Sequence, residues 1–162
     1  MAEVGCGDLT MEAVAARAGV GKSTVYRHWS GKLDLVEDAI RTLKPLVSAP
    51  RGGSVRERVT ALLVQIATGM ADSTWSSCLP AIIDAAERDP EVLVVHQRIA
   101  RDRRQILVDL LAEGVATGEV AAEVDLHILA ECLFGPIVVR RLLLHEPFDP
   151  AQVPALVAQV LR

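Results

Sequence analysis

Apolar residues recur along this chain at intervals of three and four, the period of an α-helix, and nowhere alternate with the two-residue period of a strand. The pattern predicts an all-α protein. Thr10 caps a first helix with Val14, Ala15 and Ala18 on one side. Ala18-Gly19-Val20-Gly21 breaks it, glycine supplying the positive-φ reversal and Val20 plugging the gap between helices. A short helix over roughly Lys22 to Trp29 follows, with Val25 and Trp29 inward. Ser30-Gly31 opens the next, whose stripe Leu35, Val36, Ala39, Ile40 and Leu43 ends before Pro45.

Pro45 to Gly53 reads as a loop, and it places the division between a head, 1–46, and a helical body, 47–162. Ser54-Val55-Arg56-Glu57 is a capping box for a helix carrying Val59, Leu62, Leu63, Ile66 and Met70, which Asp72 to Ser77 ends. A shorter helix covers about Leu79 to Arg88. Asp89-Pro90-Glu91 then starts a long one, with Val92, Val95, Ile99, Ile106, Leu110 and Val115 inward, that Gly118 stops after about Thr117. Asp125 caps a helix bearing Leu126, Leu129, Leu133 and Ile137 to about Leu144, with a kink expected at Gly135-Pro136. Asp149 begins the last, along Val153, Leu156, Val157, Val160 and Leu161.

Composition sharpens this picture in two places. Hydrophobic residues make up 51% of the 162, with a mean hydropathy of +0.30, yet the most apolar stretch, Val124 to Leu144, is broken by six charged, His or Pro residues and cannot span a membrane. Surplus apolar surface is therefore expected between subunits or around a ligand. The net charge of −4 argues against a general nucleic-acid binder, but Arg17, Lys22, Arg27 and Lys32 fall between Ala13 and Leu33 with no acid among them. Cys6, Cys78 and Cys132 are odd in number and far apart, the usage of a reduced, cytoplasmic chain without disulfides or a secretory signal.

That local basic character coincides with a helix face built for a groove. Ser23, Thr24, Arg27 and His28 share the side opposite Val25 and Trp29, presenting only polar groups. Arg can fork onto guanine, and Thr can offer a methyl or a hydroxyl to a base edge.

Thr10-Met11-Glu12-Ala13-Val14-Ala15, Ala18 to Trp29 as AGVGKSTVYRHW, and then Lys32 and Leu35 together resemble the TetR/AcrR family of bacterial transcriptional regulators. The resemblance implies a helix-turn-helix DNA-binding head on a helical ligand-binding and dimerisation body. The partners it implies are a double-stranded DNA operator, an unknown small-molecule effector and a second copy of the chain, paired through its last two helices. Leu133-Phe134-Gly135-Pro136-Ile137 also resembles part of one such C-terminal domain. Tyr26 and Lys32 match backbone-phosphate contacts. The candidate interface is then Ser23, Thr24 and Arg27 at base edges, with Thr10, Lys22, Tyr26, His28 and Lys32 on phosphates. Gly21 and Gly31 depart from the family's capping residues, although Gly caps nearly as well as Thr. Met1 to Asp8 retains only the end of the family's first helix, so the alternative is a ligand-binding or dimerisation module that has lost DNA binding.

Other chemistry is thin. Trp75, Cys78, Ile82, His96, Ile99, Phe134 and Ile137 are candidates to line a pocket, each equally at home as ordinary core. Arg98, Arg101, Arg103 and Arg104 form a basic stretch, read as a solvated face, an anion site or a set of partners for the acids of the preceding helix. His127 and Glu131, with Asp125 near, lack a third metal ligand. No nucleophile elbow, phosphate loop or HExxH is present, so no enzyme, cofactor or metal is expected.

Overall fold

A computed structural model describes residues 10–43, 48–71 and 74–161. The expectations for Met1 to Asp8, for the stop at Pro45 and for Asp72 lie outside them. All regular structure among the described residues is helical: α1 Met11–Ala18, α2 Lys22–His28, α3 Lys32–Leu43, α4 Val55–Ala71, α5 Thr74–Arg88, α6 Pro90–Thr117, α7 Leu126–Leu142, a 3-10 turn Pro150–Gln152 and α8 Val153–Val160. They fall into two compact units, one within Met1–Pro45 and Ser77–Ile99, the other within Leu46–Ser76 and Ala100–Arg162. Residues 77–99, which the sequence pattern assigned to the body, thus pack with the head.

In the first unit, Met11, Ala15, Val25 and Leu35 are buried together, with Val14 and Trp29 partly covered beside them. Met11, at the first helical position, takes the inward place expected of Ala18, which is exposed next to the helix end. Val20 is 41% exposed and does not plug the gap between α1 and α2. A second small core joins Ala85, Ala86 and Val92 with Leu33 and Leu93, so the start of α3 packs on the turn between α5 and α6.

In the second unit, α4 packs against both α7 and α8. Val59, Leu62, Leu63, Leu110, Leu111, Leu133, Ile137, Val153 and Val157 are among its fully buried residues. On α6 the inward side includes Leu107 and Leu111, while Ile106 and Val115 are only partly covered.

Helix ends follow local chemistry closely. The capping box forms in both directions: Ser54 N–H donates to Glu57 Oε2 at 2.8 Å, and Glu57 N–H donates to Ser54 Oγ at 3.2 Å. Asp125 Oδ1 accepts from His127 and Ile128, and Asp149 Oδ1 accepts from Ala151. Gly118, at φ +77°, ends α6.

Prolines fall inside two helices. α7 runs from Leu126 to Leu142 with Pro136 in its interior. α5 begins at Thr74 rather than Leu79, with Pro80 in its interior. Proline at 80 has no N–H for the carbonyl of Ser76, four residues back. Arg141 of α7 replaces it: Nη2 donates to Ser76 O at 3.0 Å, and Nε donates to the buried Ser76 Oγ. Ser76 Oγ donates in turn to Met70 O at 2.8 Å. A partner 65 residues away lets the helix run through its proline.

Candidate nucleic-acid interface

Thr10 sets the head's geometry from its first described residue. It lies in extended backbone, and its Oγ1 accepts the Ala13 N–H at 3.1 Å, starting α1. Gly19 ends α1 in the left-handed region, at φ 66° and ψ 27°, and the chain reverses into α2 there. Gly19 N–H reaches Ala16 O at 3.2 Å and Val20 N–H reaches Ala15 O at 3.0 Å, so two of the last carbonyls of α1 are satisfied across the turn. Gly21 needs no such freedom: its φ is −68°, and it is the N-cap of α2 without a side-chain bond.

On α2, Val25 alone is fully buried, and it fixes which side faces out. Ser23, Arg27 and His28 are exposed and Thr24 is partly covered, so the outward polar side expected for base edges is present. Tyr26 is 49% exposed. The His28 ring lies 5.6 Å from the Trp29 ring at a tilted angle, and Trp29 Nε1 donates to Asp38 Oδ2 at 3.0 Å. Trp29 is thereby tied to α3, and the end of α2 with it. α3 opens with Asp34 Oδ2 accepting the Ser30 N–H at 2.9 Å, which ties its first turn back to the residue before Gly31.

Lys22 and Lys32 have carboxylate partners that the sequence did not reveal. Lys22 Nζ is 3.3 Å from Glu12 Oε1, both well exposed. Lys32 Nζ is 3.2 Å from Asp89 Oδ2, with both side chains about a third exposed (31% and 33%). The lysine bond, followed by the N–H of Glu91, holds the Asp89 carboxyl below its ordinary range; backbone hydrogen bonding and then Lys22 lower that of Glu12. Asp89 was legible as the cap of α6, and its Oδ1 accepts from Glu91 at 3.0 Å and Val92 at 3.4 Å. Its second role was not legible, because nothing in a capping pattern points to a lysine 57 residues earlier.

The basic stretch of α6 divides its attention. Arg98 pairs with Glu37 of α3, Arg104 with Glu131 of α7 at 2.8 Å, and the Arg103 guanidinium lies 4.9 Å from the Trp75 ring centre. None of these three is an acid of the preceding helix, and Glu131 is thereby engaged away from His127. Of the pocket candidates, Trp75, Cys78, Ile82, Ile99 and Ile137 are buried, His96 is partly covered and Phe134 is 37% exposed. Trp75, Phe134 and Ile137 belong to the second unit and the other four to the first.

Comparison with known proteins agrees with this geometry. Residues 1–39 match the family described as bacterial regulatory proteins, tetR family, and residues 49–160 match the tetracyclin repressor-like C-terminal domain. The chain is 30% identical over 161 residues to the HTH-type transcriptional regulator Mb1581 of Mycobacterium bovis, covering 98% of this chain and 79% of that one. It is 28% identical over 158 residues to the DNA-binding transcriptional repressor TetR of Mycobacteroides abscessus, covering 94% and 80%. The solved structure of the TetR family transcription regulator SCO0332 superposes with a TM-score of 0.76 at 29% identity, over 96% of this chain and 87% of that one.

Proposed function

Because this chain belongs to the TetR family of DNA-binding transcriptional regulators, we propose that it is a ligand-responsive repressor that binds a palindromic operator as a homodimer. The observation that carries the reading is the outward side of α2, held in place by the buried Val25 and by the Gly19 reversal, with Ser23, Thr24 and Arg27 on it. In this reading those three meet base edges in the major groove. Thr10, Lys22, Tyr26, His28 and Lys32 meet phosphates, and Thr10 does so while its hydroxyl caps α1.

In this reading residues 1–46 act as the DNA-binding head and 47–162 as the ligand-binding and dimerisation body, with residues 77–99 of the body packed on the head. Support for the dimer comes from α7 and its C-cap Leu143, where Ile128, Val139 and Leu143 are large, apolar and exposed, and fall on one side with the small Cys132 and Gly135 at 128, 132, 135, 139 and 143. Paired with its copy through α7 and α8, each subunit presents one recognition helix to each half-site, about 34–36 Å apart. A small-molecule effector is expected within the helical body. Among the described residues no helix is long and apolar enough to cross a membrane, and a cytoplasmic regulator needs none.

A gel shift on the DNA flanking the protein's own gene tests the reading. One fragment is expected to shift. Arg27→Ala should cost about 1–3 kcal/mol of that affinity and relax the preference at one base pair, as the loss of a bidentate contact does. Failure of the wild-type protein to shift any fragment would remove the repressor reading. An Arg27→Ala loss equal on all sequences would reduce that residue to a phosphate contact.

A further inference from the structure

We propose that Asp89 competes with DNA phosphate for the ammonium of Lys32, and so acts as a positioning residue that restrains the sequence-independent part of DNA affinity. The proposal rests on the reading of the head as a DNA-binding face. It follows from how unequally the two partners are held. One oxygen of the Asp89 carboxylate, Oδ1, is fixed by the Glu91 and Val92 N–H groups of the first turn of α6, while the other, Oδ2, takes Lys32. The carboxylate cannot follow the lysine without giving up the start of that helix.

The surroundings are held as well. Leu33 packs against Ala85, Ala86 and Val92, and Glu37 of α3 pairs with Arg98 of α6. Lys32, on a flexible four-carbon stem, is the partner free to leave. A phosphate arriving at the start of α3 must therefore either draw the ammonium off Asp89 or accept a fixed carboxylate beside it. Both cost affinity, and neither depends on the base sequence.

Asp89→Asn removes the charge and keeps a good N-cap; Asp89→Ser, another capping residue, serves as a second variant against loss of fold, checked by thermal melting. Binding is measured on a random-sequence duplex over a range of salt. Each variant is expected to bind about two- to fivefold more tightly than wild type, the scale of one surface charge pair. The log–log salt slope should steepen by about one phosphate contact. Lys32→Ala should bind more weakly than wild type, and adding Asp89→Asn to it should gain clearly less than the same change gains in the wild-type background.

An equal gain in the Lys32→Ala background would show a general field effect and overturn the competition. So would unchanged binding by both Asp89 variants while the wild-type protein binds. If the wild-type protein bound no duplex at all, the DNA-binding reading itself would fall, and this proposal with it.

Discussion

Gly19 and Gly21 lie two residues apart in the same turn, and only one of them needs to be glycine. At Gly19 the backbone is left-handed, φ +66°, although a Cβ there would meet nothing within 4 Å. The cost of a side chain is therefore conformational rather than steric. Gly19→Ala should lower the stability of the head by about 1 kcal/mol in chemical denaturation. At Gly21 the φ is an ordinary −68°, and a Cβ would rest 3.7 Å from Ser23 Oγ. Gly21→Ser should add a capping oxygen to α2 and stabilise by a few tenths of a kcal/mol. A larger loss at 21 than at 19 would mean that the turn is held by something other than Gly19. The sequence carried this reversal but not its division of labour, since φ is set by how the two helices meet. Val20 makes the same point: its type suits a buried plug, and the turn leaves it 41% exposed.

α5 shows what an element can hide. Pro80 reads as a helix start when only neighbours are considered, because proline favours the first turn and disrupts the interior. The helix nevertheless begins six residues earlier, at Thr74, and the Ser76 carbonyl, to which Pro80 cannot donate, accepts from Arg141 of α7. Arg141→Ala should remove both guanidinium hydrogen bonds to Ser76 and destabilise the protein by about 1–3 kcal/mol in thermal or denaturant unfolding. Pro80→Ala supplies the missing N–H, so part of that loss should be recovered in the double variant. No recovery would place the role of Arg141 on the Ser76 hydroxyl alone. By contrast, α4, α6 and α7 start where the sequence says they do. Their capping oxygens at Ser54, Asp89 and Asp125 lie two or three residues from the N–H groups they serve.

For the whole molecule, the dimer proposed above makes a prediction on one side of α7. Ile128 is 60% exposed and Leu143 72%, both more than an isolated chain in water leaves bare without reason when they align with Val139. Val139→Asp sets two like charges against each other if that side meets its own copy. It should raise the dimer dissociation constant at least about tenfold in sedimentation equilibrium while the isolated subunit melts much as before. An unchanged dimer would move the interface off this side of α7.

The sequence by itself determined the helical class, most helix ends and the kinship of the head, because each rests on contacts within a turn or two. A cap needs an oxygen two or three residues from an N–H, and a stripe needs only the 3.6-residue period. The tertiary structure alone decided which charges stand where on the head. Lys32 meets Asp89 across 57 residues, and Glu37 meets Arg98 across 61. It also decided that residues 77–99 pack with the head, and that α5 runs through its proline. The physical reason is common to all three: an ion pair, a packed face or an orphaned carbonyl is completed by whatever folding brings near, and separation along the chain carries no mark of it.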